Sequence, residues 1–537
     1  MVAPSPNPHP RQRAEIRIKN QRLVSFGRLV FLGSRHSRWH CLERAMRTLR
    51  RLVRDIATSP DVPTGVPGAL LALLDAASAV HGRMVTARRW AYDSGWVSQT
   101  GVDAPVVSVG NVTWGGTGKT PMTEYIAREV ADAGFAPAVL SRGYRGADEA
   151  TMLRRRLGDV PGARVLVGKD RGKLAKDALC EDASRRRADD AAAAFSPLAG
   201  FDRERRFAGD VDVDDIELRC VSERATEVSS GVGRGRNRSD DGDGERRRPE
   251  GDASGEKQNE PVAFLLDDGA QHVRLRRDLE VVMVHALRGW GNGRIVPRGP
   301  LREEPRALLK RADVVALHRF PRPVETETET DEGRNARAFA EALERDVRAL
   351  LDPDRNPLVI KTSIEPERVE RLARYVGESP QHEWSPPLSR LRGARVFCPC
   401  GIGDAASVRA SLERLTAPAL DDPNNGYGLR VRHTGSVEVW DLGDHEPFWS
   451  CDATLTKIVR RFREMHRTSG DVGSAEARMV LTEKDVARIV ASEPEKRFRA
   501  LAALAQCDPL VLCAKLVVPD EGERGALNAR LRRTLRR

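Results

Sequence analysis

Short apolar runs alternate with amphipathic stretches along most of the chain, and this alternation predicts an α/β architecture. Val106, Val107 and Val109 are β-branched and apolar, as a buried parallel strand requires. A helical pattern follows from Thr123 to Ala133, and a second strand is predicted over Phe135–Leu140. Residues 147–157 read as a helix, 163–167 as a third strand, and 168–171 as the lead into a helix ending near Leu179. Periodicity then lapses over 181–260 and returns with an apolar strand that runs from Pro261 into Asp267 and Asp268. Further strands fall at 281–284, 314–317 and 358–362, with a helix at 337–351. A second α/β unit opens near Arg395, has a strand-to-helix step at 479–485, and ends with strands at 510–512 and 516–518. The stretch Trp440–His445 reads as a turn.

Near the start, Leu73, Ala77, Val80 and Met84 recur at helical spacing within 67–95, with Arg83, Arg88, Arg89, Trp90 and Tyr92 gathered at the far end. The apolar run is short and interrupted for a bilayer span. A basic amphipathic helix of this kind suits the surface of a membrane; packing on the neighbouring domain is the other reading.

At 537 residues the chain is long enough for two or three domains. The pattern divides it into a basic leader (1–66), an amphipathic helix (67–99), a core (100–320) interrupted by an insertion (181–260), a linker region with one helix and one strand (321–394), a smaller α/β domain (395–520) and a basic tail (521–537). The insertion carries Arg-Arg-Arg, Gly-Arg-Gly-Arg and Asp-Asp-Gly-Asp-Gly runs, and such sequence buries too little apolar area to offset ordering entropy. The leader has thirteen Lys or Arg within 1–54 against Glu15 and Glu43, the profile of an organelle transit peptide or of a disordered basic tail. The net charge of +11 is compatible with an anionic surface. No basic run is interleaved with stacking aromatics, which disfavours a nucleic-acid partner. The eight cysteines are scattered and the Cys398–Cys400 spacing is too tight for the usual zinc site, so free thiols in a reducing compartment are expected.

The chemistry concentrates at 106–121. Gly115, Gly116 and Gly118 leave a turn free of side chains, so that backbone N–H groups face an anion. Lys119 adds a charge for the β- and γ-phosphates, and the Thr120 hydroxyl is placed to ligate Mg²⁺. Thr113 occupies the position where the usual phosphate-binding motif has its first glycine. The strand ending in Asp267 and Asp268 has the pattern of a metal-holding carboxylate downstream of such a turn.

Taken in order, Gly110–Pro121, Ser141–Tyr144, Asp148-Glu149, Leu266–His272, Arg277–Glu280, Gly291–Gly293, Gly299–Glu303, Gly401–Gly403, Asp444-His445 and Thr482–Asp485 resemble one family, the tetraacyldisaccharide 4′-kinases of lipid A synthesis. The resemblance covers roughly 67–520 apart from the low-complexity insertions. It implies a P-loop NTPase α/β/α sandwich with a second, smaller α/β/α domain and an N-terminal membrane-associated helix. It also implies transfer of the ATP γ-phosphoryl, with Mg²⁺, to the 4′-hydroxyl of an acylated disaccharide 1-phosphate lipid at a membrane surface. By the same resemblance Asp148 is the base and His445 its partner, Asp444 lies beside them, and Arg302 and Glu303 belong to a loop near the phosphates. Thr113, Trp114, Gly115, Gly116, Thr117, Gly118, Lys119 and Thr120 hold the nucleotide, and Thr120, Asp267 and Asp268 serve the metal. With the leader, the resemblance implies an organelle, mitochondrial (matrix face of the inner membrane) or plastid; in a bacterium the cytoplasmic face of the inner membrane would correspond.

Four positions depart from the family pattern: Ala147 and Ala150 replace a glycine and a proline around Asp148, Ala270 replaces a larger apolar residue, and His285 stands where an Asp is usual. Two other functions compete: a P-loop ATPase that drives conformational change, and an ATP-binding membrane protein without catalysis.

Overall fold

The computed structural model describes residues 52–53, 56–57, 66–143, 148–194, 260–321, 330–377, 386–417, 435–442, 448–468 and 476–536. Helix α1 (Gly68–Asp93) comes first, then β1 (Val106–Asn111), α2 (Lys119–Asp132), β2 (Ala136–Ser141), α3 (Asp148–Arg156), β3 (Arg164–Val167) and α4 (Arg171–Ala194). From residue 260 onwards come β4 (Val262–Asp267), β5 (Leu279–His285), α5 (Pro305–Leu309), β6 (Val314–His318), α6 (Asp331–Leu350) and β7 (Leu358–Arg371). The rest is α7 (Leu372–Val376), β8 (Arg395–Cys400), α8 (Ala405–Thr416), β9 (Val437–Asp441), α9 (Asp452–Arg467), β10 (Ala477–Thr482), α10 (Glu483–Val490), α11 (Pro494–Ala505), β11 (Leu510–Val517) and α12 (Glu521–Leu535).

All eleven strands form one sheet in the order β3-β2-β4-β1-β5-β6-β7-β11-β10-β8-β9. Every pairing is parallel except β7 with β11. The first seven strands make one lobe and the last four a second. Strand β7 belongs to both: residues 358–362 pair with β6, and 363–371 pair with β11. β1, β2, β4, β5 and β6 are buried along their whole length, which explains why they read as mainly apolar runs without alternation.

Four sequence expectations are corrected. The end of the chain is no mere basic tail: Leu527, Leu531 and Leu535 of α12 are buried in the same core as Ile126 and Val130 of α2. Helix α4 continues to Ala194, well past Leu179, because Ala- and Arg-rich sequence is strongly helix-forming. Helix α6 begins at Asp331 rather than 337, started by the Thr330 hydroxyl, which accepts from the Gly333 N–H. Trp440 and Asp441 lie in strand β9, paired with Pro399 and Cys400, and not in a turn. The leader up to residue 51, Tyr144, Ala147, residues 195–259 of the insertion, Asp444 and His445 lie outside the described residues.

Candidate active site

The turn after β1 is built to leave room. Gly115 and Gly118 take φ of +101° and +79°, the left-handed region that favours glycine. A Cβ at Gly115 or Gly116 would meet nothing within 4 Å, so the backbone there faces open space. A Cβ at Gly118 would instead lie 2.6 Å from the buried ring of His318. Thr113 has a structural reason. It forms an antiparallel bridge with Leu301, the Trp114 N–H donates to the Pro300 carbonyl, and Arg302 N donates to the Val112 carbonyl. The Gly299–Arg302 loop thus splints the entry to the turn, and a side chain at 113 is accommodated there. Asn111 closes the turn from within, its amide donating to Thr117 Oγ1 at 2.8 Å and to the Thr113 carbonyl. Lys119 opens α2 just after this turn, so the helix N-terminus and an ammonium face the same space.

The carboxylates at the end of β4 stand beside this cradle. Val109 pairs in register with Asp267. Asp268 takes φ of +55°, a conformation Asp tolerates better than most residues. Its Oδ1 accepts from Arg302 at 2.5 Å and lies 3.7 Å from Lys119 Nζ. Burial alone would raise the Asp268 carboxyl, but Lys119 and Arg302 outweigh it and hold the group down at about 2. Asp267 goes the other way: burial and the Glu149 charge push it up. Burial pushes Lys119 below the usual ammonium range, opposed by Asp268. Glu303 is buried, with both oxygens bonded by Arg311 at 2.9 Å and Oε1 also accepting from Gln271 at 3.0 Å. Gln271 in turn accepts from Arg302 at 3.0 Å. Glu303 therefore anchors the loop that aims Arg302 at Asp268.

Asp148 begins α3 in the first lobe, yet its carboxylate is met by the second. Arg488 Nε on α10 donates to Asp148 Oδ2 at 3.1 Å, and Lys484 lies 3.8 Å from Glu149. The Thr482–Asp485 motif sorts into separate jobs. Thr482 starts α10 by accepting from the Asp485 N–H, and Asp485 Oδ2 accepts from Thr482 Oγ1 at 2.7 Å and from the Gly401 N–H at 3.1 Å. Glu483 takes Arg156, at the far end of α3, through contacts of 2.5–2.9 Å, and accepts from the Tyr375 hydroxyl at 3.1 Å. Arg156 also reaches Glu367 at 3.1 Å. A register shift in the β7–β11 pairing leaves Glu367 between the paired residues Pro366 and Arg368.

A cleft joins these parts. It is lined by Gly115–Pro121, Glu149 and His318 from the first lobe and by Gly403, Asp404 and Lys484 from the second. At its floor His318 donates or accepts through Nδ1 with Thr362 Oγ1 at 3.1 Å, and burial keeps the ring neutral. Asp404 caps α8 and lies 3.1 Å from Arg319 and 3.6 Å from His285 Nε2. The substitution at His285 therefore places a neutral ring, depressed by burial, against a carboxylate of the second lobe. Ala270 is buried and packs so closely on Gly110 that a Cβ at Gly110 would lie 2.3 Å from its side chain.

Helix α1 docks through a polar seam. Ser78 Oγ donates to the Ile295 carbonyl at 2.7 Å and accepts from Arg298 N at 3.0 Å, while Asp75 lies 3.4 Å from Arg298 and Arg89 lies 3.9 Å from Glu303. Leu74 is buried on the Ser78 side of this seam, but Leu73, Val80, Met84 and Trp90 are each more than half exposed. By length and composition the helix could cross a membrane, despite the interrupted apolar run in the sequence.

Of the residues singled out in the sequence, the structure gathers Thr113–Thr120, Asp267, Asp268, Arg302 and Glu303 at the C-terminal ends of β1 and β4, and holds Asp148 against Arg488, next to the cleft-lining Glu149. Sequence reasoning missed Arg488, His318, Arg319 and Asp404. Arg488 sits three residues after Asp485, one helical turn on, and that spacing was the available signal.

A family description, "Tetraacyldisaccharide-1-P 4′-kinase", matches residues 70–183 and 245–422, more than half of the chain. The chain is similar to the "Probable tetraacyldisaccharide 4′-kinase, mitochondrial" of Arabidopsis thaliana, 29% identical over 480 residues, which are 88% of this chain and 93% of that one. It is 31% identical over 420 residues to the tetraacyldisaccharide 4′-kinase of Anaeromyxobacter sp. (strain Fw109-5), covering 78% of this chain and 83% of that one. Among solved structures, LpxK from Aquifex aeolicus in complex with ATP is similar at a TM-score of 0.43 and 17% identity, over 87% of this chain and 99% of that chain.

Proposed function

The chain belongs to the tetraacyldisaccharide 4′-kinase family and is a kinase, and we propose that it transfers the γ-phosphoryl of ATP to the 4′-hydroxyl of a tetraacyldisaccharide 1-phosphate. The observation that carries this reading is the cleft lined by both the open glycine turn and Glu149, with Asp148 next to Glu149 on the same helix. Asp148 takes the proton of the sugar hydroxyl as its oxygen bonds to the γ-phosphorus and the bond to the ADP oxygen breaks. Lys119, Arg302 and the turn's N–H groups counter the charge spread over the phosphoryl oxygens. Thr120, Asp267 and Asp268 offer only oxygen donors, which fits a hard cation held by one or two carboxylates and the phosphates. Mg²⁺, when bound there, neutralises charge on the β- and γ-phosphates. His445 and Asp444 complete the acid–base group in this reading. The exposed apolar side of α1 rests on the bilayer that holds the lipid acceptor. Similarity to the Arabidopsis relative, named mitochondrial, and the basic leader support an organelle location at the matrix face of the inner membrane.

The test is to incubate the purified chain with ATP, Mg²⁺ and tetraacyldisaccharide 1-phosphate and follow phosphorylated lipid. Lys119→Ala should lower turnover by at least ~10²-fold. Hydrolysis of ATP without lipid product would favour a P-loop ATPase, and nucleotide binding without turnover a non-catalytic protein.

A further inference from the structure

We infer that Arg488 is a positioning residue, which sets the Asp148 carboxylate from the opposite lobe; this rests on the reading of Asp148 given above. Asp148 stands in the first turn of α3, and among the described residues the guanidinium of Arg488 is the group that hydrogen-bonds its carboxylate, at 3.1 Å. Arg488 is itself fixed on both sides. Nη1 donates to the Gly401 carbonyl at 2.6 Å, and Asp485 Oδ1 lies 3.6 Å away. Asp485 is in turn tied to the Gly401 N–H and to Thr482. Gly401 has no room for a side chain, since a Cβ would lie 2.7 Å from Asp485 Oδ1. The guanidinium is 6% exposed on its side chain, and its planar fork bonds Gly401 with one nitrogen and Asp148 with another.

This arrangement gives Gly401–Gly403 and Thr482–Asp485 a shared purpose. They need not touch substrate; they hold the arginine that orients the base. A carboxylate bonded through one oxygen keeps the other, Oδ1, available for the acceptor hydroxyl. Lysine is a poor substitute, because one ammonium at the end of a flexible stem lacks the fixed fork that serves both partners.

A general interlobe staple would predict something else, and the structure supplies the control. Arg155, on the same helix α3, bonds Glu370 at 2.9 Å and stacks 3.9 Å over Tyr375, so it staples α3 without touching Asp148. The experiment compares Arg488→Met, Arg488→Lys and Arg155→Met in the lipid-phosphorylation assay, with unfolding curves for each. Misplacing a reacting group by about 1 Å can cost ~10²-fold. Arg488→Met is expected to lower kcat by roughly 10–100-fold, with KM for ATP unchanged, and Arg488→Lys to lose kcat in the same direction. Arg155→Met should lose stability and keep kcat. Adding Arg488→Met to Asp148→Asn should lower kcat no further. Wild-type kcat in both Arg488 variants, losses fully additive with Asp148→Asn, or an equal kcat loss in Arg155→Met would overturn the inference. If Arg488→Met fails to fold, the lysine variant alone decides by the same kcat criterion. Failure of the underlying reading shows separately, as absence of lipid product from the wild-type chain.

Discussion

Gly118 is where the phosphate turn has least freedom, and Gly118→Ala tests whether the turn is built as described. Two costs can be separated. Alanine at φ +79° occupies the left-handed region, which costs an L-residue roughly 1–2 kcal/mol. Its methyl carbon would also sit 2.6–2.7 Å from three ring atoms of His318. That ring is buried, bonded to Thr362 Oγ1 at 3.1 Å and set edge-on to His285 with centroids 6.2 Å apart, so it has little room to retreat. Overpacking of this kind costs about 1–3 kcal/mol. Together the substitution should destabilise the protein by roughly 2–5 kcal/mol, a fall in Tm on the order of 2–6 °C for a chain of this size. ATP affinity should fall too, because the alternative to overlap is displacement of the turn. Thermal unfolding and calorimetric titration with ATP measure both. Adding His318→Ala should relieve the overlap and leave the conformational cost, so the double variant should be better than the sum of the singles by about 1–3 kcal/mol. Unchanged stability in Gly118→Ala, or strict additivity in the cycle, would refute the steric argument.

Other consequences are briefer. Arg156→Met leaves Glu483, Glu367 and Glu124 around a lost guanidinium, and should cost about 3–5 kcal/mol in urea unfolding, with Glu483→Gln recovering part of it. His272 is held down at about 4 by burial and by Arg171, Arg277 and Arg88. The unfolded chain therefore binds a proton that the folded chain refuses, and stability should fall as pH drops from about 6.5 towards 4; His272→Gln should flatten that slope in pH-dependent unfolding, and an unaltered slope would assign it to other groups. On α1, Leu73→Gln with Met84→Gln should weaken flotation with liposomes while leaving the melting curve nearly unchanged, since both side chains are 66% exposed; undiminished flotation would place the membrane contact elsewhere.

The parts legible in the sequence were those with a local signal. Mainly apolar runs without alternation marked β1, β4, β5 and β6 because both faces of these strands are buried. The glycine turn, Lys119 and Asp268 were legible because each lies at the end of an apolar strand in a short, local sequence pattern. Strand β7 was read as a short strand over 358–362 because its second half, 363–371, is charged and half-buried, paired to β11 along a seam that no local pattern announces. The carboxy-terminal helix was hidden for a similar reason: its buried leucines are spaced by four among arginines, and the composition outweighs the stripe. Arg488, Asp404 and His318 acquire meaning only when the second lobe is set against the first. Thr113 shows the reverse. It is an irregularity in the motif that becomes ordinary once Leu301 is seen beside it.

The placement of α3 bears on why the two lobes share one sheet. Its first residue is held by Arg488, and its last carries Arg156 into Glu483, both on α10 of the second lobe. The phosphate cradle, by contrast, belongs to the first lobe, at the ends of β1 and β4. In the proposed mechanism the distance between Asp148 and the glycine turn therefore depends on how α10 sits relative to β1. Hinged lobes would leave that distance loose. Here β7 runs from its pairing with β6 directly into its pairing with β11 without leaving the sheet, so the reference frame of α10 is hydrogen-bonded to that of the cradle. On the proposal that Arg488 positions Asp148, a departure from the family pattern such as Ala150 is less disruptive than it looks, because the carboxylate is held by a side chain of the second lobe.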